Sequence, residues 1–196
     1  PASLLPAEPH VVVHCASKQV DTDGLGFATN LHGVERLLTV KNAWTRAIVY
    51  ASSFSVYGDG PQAGVSEEAP LHPQTALAKS RAACEARLLA EARGGNIQVA
   101  ILRARFVFGE GDRHFLPGLA RLARTRVRLG SGRQRFSVID VDDYARVILS
   151  LASRFLDEGG DLTGIPSVFN VGYRQPVTFT EIADVLREKG GYRRAR

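Results

Sequence analysis

Ile48-Val49-Tyr50-Ala51-Ser52-Ser53-Phe54-Ser55-Val56-Tyr57-Gly58 opens the stretch that decides the fold, and Ala76-Leu77-Ala78-Lys79-Ser80-Arg81-Ala82-Ala83-Cys84-Glu85 closes it. The first segment is a short apolar run that ends in paired hydroxyls. That is the pattern of a parallel strand buried on both faces. An open α/β sheet binds its ligands at the carboxyl ends of such strands. A polar, proline-bearing loop follows, and then a helix. On that helix Leu77 and Arg81 stand four residues apart and share one face. Leu77 reads as a leucine of the apolar face, in line with Cys84 and Leu88.

Outward from this stretch, strands alternate with helices. Pro1 to Pro9 is a lead-in, and the valine run of His10–Ser17 is a second buried strand. Lys18–Gly26 is a polar turn, and Phe27–Ala43 a helix with Leu31, Val34 and Leu38 on one face. Ile97–Arg103 is a further strand, and Gly109 and Gly111 mark a turn after it. Phe115–Arg126 reads as a basic helix, and Val127–Gly132 as a short strand and turn. Phe136–Asp143 leads from a strand into a helix that runs to about Phe155, with Asp142 or Asp143 as its cap. Val168–Gly172 is a strand. Thr178-Phe179-Thr180-Glu181 is a capping box for a last helix ending at Gly190-Gly191.

The 196 residues predict one domain with a sizeable core. Hydrophobic and charged fractions of 44% and 23% are those of an ordinary globular protein. The net charge is +5. Its basic residues gather at Arg121, Arg124, Arg126, Arg128, Arg133 and Arg135, and again at Arg193, Arg194 and Arg196. No aromatic residue is interleaved from Arg121 to Arg135, so a solvated helix face is expected there and nucleic acid is not expected as a partner. Two cysteines, Cys15 and Cys84, make no disulfide framework. Both are expected as small buried hydrophobes. No cluster of Cys and His has metal spacing, and no metal is expected. No apolar run approaches a membrane span, and no signal peptide is visible. An intracellular location, cytoplasmic or at a membrane surface, is expected.

The Ile48–Glu85 stretch resembles the extended short-chain dehydrogenases/reductases, the NAD-dependent epimerase/dehydratase superfamily. That family shows Ser-Ser-x-x-Val-Tyr-Gly on a strand, Tyr-x-x-x-Lys on the next helix, and a Glu four residues on. Ser53 falls on the catalytic Ser and Glu85 on the trailing Glu. Leu77 falls on the catalytic Tyr and Arg81 on the Lys. Further matches run from about Val11 to Lys189. They are the His14-Cys15-Ala16 strand end, Asn30-Leu31-His32-Gly33 for Asn-x-x-Gly, Leu102-Arg103-Ala104 for Leu-Arg-Pro, and Asn170-Val171-Gly172 for Asn-Val-Gly. The phrase Phe108-Gly109-Glu110-Gly111-Asp112-Arg113-His114 followed by Leu116-Pro117 looks most like the 3β-hydroxysteroid dehydrogenase and sterol-4-carboxylate 3-dehydrogenase branch.

The resemblance implies a partial Rossmann-like, doubly wound parallel α/β sheet, from the family's fourth strand onward, with a small carboxyl-terminal substrate-side α/β portion. Residues 1–196 are then one truncated NAD(P)-binding domain, with 109–138 and 168–196 forming the substrate-side lobe. The family's Gly-x-x-Gly-x-x-Gly loop is not found, and the chain is expected to be a fragment, truncated product or isoform. The resemblance implies catalytic positions at Ser53, Leu77, Arg81 and Asn30. It implies NAD or NADP contacts at Ala16, Ser17, Ser52, Arg81, Ala104 and Val107. It implies hydride transfer at a CH–OH group of a small apolar, sterol-like substrate, with a dimer among the expected states. Leu77 has no O–H to give or take a proton, so an impaired or inactive enzyme is expected. A non-catalytic binding relative is the alternative. A sugar-nucleotide epimerase or dehydratase is a third reading, weakened because that branch begins the Phe136 segment with an Arg, and Arg135 stands one place out of register.

Overall fold

A computed structural model of the chain describes residues 5–60, 62–95, 97–124, 133–157 and 167–190. The expected Val127–Gly132 strand and turn lie outside these residues, as do Gly191, Arg126, Arg128, Arg193, Arg194 and Arg196. In chain order the elements are β1 (His10–His14), α1 (Ala28–Val40), β2 (Thr45–Ser53), a 3-10 turn (Phe54–Tyr57), α2 (Ala76–Arg93), β3 (Gln98–Ala104), β4 (Phe106–Phe108), α3 (Phe115–Arg124), β5 (Arg135–Phe136), β6 (Val138–Asp140), α4 (Val141–Leu156), β7 (Val168–Val171), β8 (Val177–Thr178) and α5 (Phe179–Gly190). They fall into two compact units. One is Pro1–Arg103 with Arg146–Asn170, and the other is Ala104–Ala145 with Val171–Arg196.

The first unit is built on a sheet in the order β1-β2-β3-β7. β1 and β2 run parallel, with Val12 opposite Ile48 and His14 opposite Tyr50. Ala47, Ile48, Val49 and Tyr50 are all buried, as are Val99 to Ala104. Runs with both faces buried mark central strands covered by helices. The core joins Val34 and Leu38 of α1, Ile48 and Tyr50 of β2, Cys84 and Leu88 of α2, and Val99 and Ile101 of β3. The expected α/β class and parallel sheet are what the chain forms.

Four expectations are corrected. The valine run of β1 is not a buried strand: β1 is the edge of the sheet, none of its residues is fully buried and Val13 is 41% exposed. Cys15 is exposed, because β1 ends at His14 and the thiol lies on the connection leaving the sheet. Leu77 is only half-buried and stands outside the core cluster that holds Cys84 and Leu88. The buried stripe of α2 is Ala78, Cys84, Glu85 and Leu88, and Leu77, in line with Cys84 and Leu88, stands in the first turn, at the end of that stripe. Finally, the cap of α4 is Asp140: its Oδ1 accepts the Asp142 N–H at 2.9 Å. Asp143 instead accepts the Tyr173 hydroxyl at 2.5 Å.

In the second unit β4 pairs parallel with β6, and β5 pairs antiparallel with β8. α3 and α5 pack through Leu119, Phe179 and Ala183. The capping box forms as the sequence requires: Glu181 Oε2 accepts the Thr178 N–H at 2.7 Å, and Thr178 Oγ1 accepts the Glu181 N–H at 3.2 Å. Asp112 starts α3 by accepting the N–H groups of His114, Phe115 and Leu116 at 2.8–2.9 Å. Burial raises its pKa, and the three backbone donors outweigh that and hold the carboxyl below its ordinary 3.8. A depressed acid stabilises the fold above its unfolded pKa and loses that contribution as pH falls through the folded value. Asp112→Ala is expected to cost about 1–2 kcal/mol at neutral pH, and less on acidification below about 4. Urea titrations at the two pH values measure it.

Candidate functional site

The site is assembled at the carboxyl ends of β1 and β2. The two hydroxyls that close β2 go different ways. Ser52 donates its hydroxyl to Glu85 of α2. Ser53 Oγ accepts the Ser55 N–H at 3.2 Å and so starts the 3-10 turn. Among the described hydrogen bonds none uses the Ser53 proton. The strand must then reverse, and Gly58 permits it. Gly58 has φ +102°, and a Cβ there would meet the His72 carbonyl oxygen at 2.7 Å. Only glycine accepts that conformation without strain. Gly58→Ala is expected to destabilise by about 1–3 kcal/mol, read as a lower denaturation midpoint.

α2 begins at Thr75, whose Oγ1 accepts the Ala78 N–H at 3.1 Å. That start places Leu77 and Arg81 at the sheet's ligand end. Arg81 reaches in two directions. Its guanidinium donates to Gln19 Oε1 at 2.6 Å, on the connection after β1, and to Ser55 Oγ at 3.5 Å. Asn30 of α1 is buried, 5% exposed. Its Oδ1 accepts the Lys18 N–H at 2.6 Å, and its Nδ2 donates to Ser80 Oγ at 3.0 Å. Ser80 in turn donates to the Leu77 carbonyl at 2.8 Å. Asn30 therefore fixes the β1 connection against the first turn of α2. Ala16 is exposed on that connection. Ala104 and Val107 fall in the second unit, at the last residue of β3 and within β4.

Behind Ser52 lies a buried polar network. Arg103 of β3 and Glu85 are 3% and 1% exposed. Arg103 grips the carboxylate with Nε at 3.1–3.2 Å and a terminal nitrogen at 2.6 Å. Its other terminal nitrogen donates to the Tyr57 hydroxyl at 2.5 Å and the Glu67 carbonyl at 3.1 Å. Tyr57 donates to Asn170 Oδ1 at 2.8 Å, and Asn170 returns its N–H to the Glu67 carboxylate at 2.8 Å. Burial opposes the Arg103 charge, and the Glu85 carboxylate more than offsets it, holding the guanidinium's pKa above its ordinary value. Arg103, Tyr57, Glu67 and Asn170 were not expected as site residues. Three of them sit inside the motif phrases quoted above, which was the available signal; Glu67 gave none.

Could another phenol replace the one missing at Leu77? Tyr50 is 2% exposed and stacks on His14. Burial pushes its phenol far up, so it keeps its proton. The Tyr57 oxygen is committed to Arg103 and Asn170. Neither tyrosine offers a hydroxyl to a ligand.

Ser17 supplies a further sign. Its hydroxyl oxygen is buried on the connection after β1 and has no hydrogen-bond partner. A buried hydroxyl without a partner costs free energy, and a ligand hydroxyl would satisfy it. Among the described residues no three Cys, His, Asp or Glu side chains gather to hold a metal ion.

A sequence model of the NAD dependent epimerase/dehydratase family matches residues 3–172. The chain belongs to that family. Within this NAD-dependent family the chain is similar to the sterol-4-alpha-carboxylate 3-dehydrogenase, decarboxylating, of Candida albicans. The two are 26% identical over 93% of this chain and 54% of that protein. It is 25% identical to the 3beta-hydroxysteroid-dehydrogenase/decarboxylase isoform 2 of Arabidopsis thaliana, over 94% of this chain and 35% of that one. The chain thus spans about half, or less, of the length of these relatives. Among solved structures it is similar to an NAD dependent NDP-hexosamine 5,6-dehydratase of tunicamycin biosynthesis. The TM-score is 0.75 at 26% identity, over 94% of this chain and 62% of that one. The UDP-glucuronic acid 4-epimerase of Bacillus cereus, solved with NAD, shares the fold at TM-score 0.76, over 95% of this chain and 61% of that one. The resemblance seen in the Ser-Ser-x-x-Val-Tyr-Gly phrase is therefore one of family.

Proposed function

We propose that the protein is an NAD(P)-dependent oxidoreductase of the 3β-hydroxysteroid dehydrogenase type whose chemical step is impaired. The observation that carries this reading is Leu77. It stands in the first turn of α2 at the position the resemblance gives to the catalytic Tyr, with Ser53, Asn30 and an Arg81 in place of Lys at the other positions.

The residues present fit the ribose and nicotinamide half of the cofactor. Ser17 has an unpartnered hydroxyl, Arg81 is a cation bonded to Gln19 on the same connection, Ser53 keeps an uncommitted proton, and Ala16 lets a ligand approach closely. When bound, a nicotinamide would accept or supply hydride. The chain's own work is to bind, orient and handle the proton. Ser53 can donate a hydrogen bond to a substrate oxygen. Arg81 stays charged and can bond a ribose hydroxyl, with a fork geometry unlike the compact ammonium of lysine. Leu77 can neither give nor take a proton, and general acid–base help is worth roughly 10²–10⁴ in rate.

The sterol-like substrate class is supported by the names of the curated relatives and by Phe136. Where the sugar-nucleotide branch begins its segment with an Arg, Phe136 packs edge-on to Phe106 and Phe115, with ring centroids at 5.7 and 6.2 Å. Arg135, beside it, is exposed. Binding without turnover is the second reading, favoured by the same Leu77.

Calorimetric titration with NAD⁺ and NADP⁺, beside a turnover assay on a 3β-hydroxysteroid, tests the proposal. Binding of one dinucleotide with little turnover is expected. Absence of dinucleotide binding would overturn it.

A further inference from the structure

The cleft between α3 and α5 belongs wholly to the second unit. Phe115 and Leu116 of α3, Phe108 of β4, Val177 of β8, and Ile182 and Val185 of α5 line a volume of about 270 Å³. Of the nine lining residues only Glu181 is polar. Its Oε2 is taken by the backbone N–H and the hydroxyl of Thr178, each at 2.7 Å. Its charge serves the capping box and not the cleft. The walls therefore offer hydrocarbon, with no side chain placed to orient a phosphate or a sugar.

One lining ring, Phe115, is backed by a ring outside the cleft. Phe115 lies face to face with Phe106 at 4.3 Å between centroids. An apolar cavity of about 150 Å³ stays dry and takes benzene. By that scale 270 Å³ admits a hydrocarbon of about two fused rings, or a medium alkyl chain. A whole sterol skeleton would leave its remainder outside.

We propose that this cleft is a binding site for the uncharged hydrocarbon portion, about two fused rings in size, of a larger ligand. The identity of that ligand as sterol-like rests on the function proposed above; the chemistry of the site rests on the cleft alone. Val185 stands at the rim, 55% exposed, and takes no part in the buried Leu119, Phe179 and Ala183 cluster. It can be changed without disturbing the α3–α5 core.

The test titrates the protein with 2-naphthol, 1-decanol, a 3β-hydroxysteroid, a UDP-sugar and NAD⁺, and repeats each titration on Val185→Trp and Val185→Asp. Trp fills the cleft and Asp places a charge at its mouth. Both variants are expected to keep the wild-type melting temperature and to weaken naphthol, decanol and steroid roughly tenfold or more, the scale on which apolar pockets discriminate. NAD⁺ affinity is expected to be unchanged. Hydrocarbons that fail to bind, or that bind equally to both variants, would overturn the assignment, as would a UDP-sugar competing with naphthol. Steroid binding that ignores both variants would place the substrate elsewhere and overturn it too. If the hydrocarbons bind and respond as expected while NAD⁺ does not bind, the cleft stands and the dinucleotide reading falls. If NAD⁺ alone binds, the reverse holds.

Discussion

Glu85→Ala is expected to destabilise the protein by about 3–5 kcal/mol, because it leaves the Arg103 guanidinium buried without its partner. Three contacts between Arg103 and the Glu85 carboxylate vanish at once, and Arg103 is only 3% exposed. Water cannot reach the abandoned charge without opening the sheet. The loss also frees Ser52 at the end of β2. Urea denaturation of the variant measures the change, as a lower midpoint with an unaltered slope. The control is the double variant Glu85→Leu with Arg103→Met. Two apolar groups of similar volume replace the pair and remove both charges, and such replacements are often neutral or stabilising. Most of the lost stability should return. If the double variant were as unstable as the single, the cost would come from packing and not from the stranded charge.

How much of this was legible in the sequence differs by level. The buried strand β2 was legible because its apolar run leaves no polar face; the valine run of β1 suggested burial too, but β1 is the edge of the sheet and Val13 is 41% exposed. Asn30 was legible only through its register with the strand that follows; its partners, Lys18 and Ser80, lie 12 and 50 residues away, and no local pattern encodes such distances. Helix periodicity misled at Leu77. It put the leucine on the face of Cys84 and Leu88, seven and eleven residues on, which is right, but it took that face as buried along its whole length, and in the first turn Leu77 is only half-buried. A glutamate reads as a solvent residue, and only its pairing with Arg103 explains its burial. The cap of α4 was misplaced for a related reason. Three acidic residues, Asp140, Asp142 and Asp143, compete at that helix start, and backbone geometry alone selects Asp140. The cleft between α3 and α5 could not be read at all, since it arises from residues of five separate elements.

Leu77→Tyr combined with Arg81→Lys is expected to raise turnover of a 3β-hydroxysteroid with NAD⁺ or NADP⁺ by roughly 10²–10⁴ over the parent chain. The argument runs from the local geometry. Leu77 is half-buried in the first turn of α2, so a phenol there has solvent-side room and need not displace the core. Its hydroxyl would stand on the helix face that carries residue 81, one turn on. A lysine at 81 places a compact positive charge beside that hydroxyl and lowers its pKa from about 10 toward the working range. Arg81 is poorly suited to this, since its guanidinium is committed to Gln19 and Ser55. The single variant Leu77→Tyr should therefore gain less than the pair, and a double-variant cycle should show positive coupling between the sites. The restored activity should rise with pH as the phenol loses its proton, a dependence the parent lacks. Dinucleotide binding should be retained, because lysine keeps at position 81 a cationic donor for the ribose hydroxyl and neither substitution touches Ser17 or Ala16. If the double variant binds the dinucleotide and the steroid and still shows no turnover, the frame of Ser53 and Asn30 no longer aligns a substrate for hydride transfer, and the protein acts by binding alone.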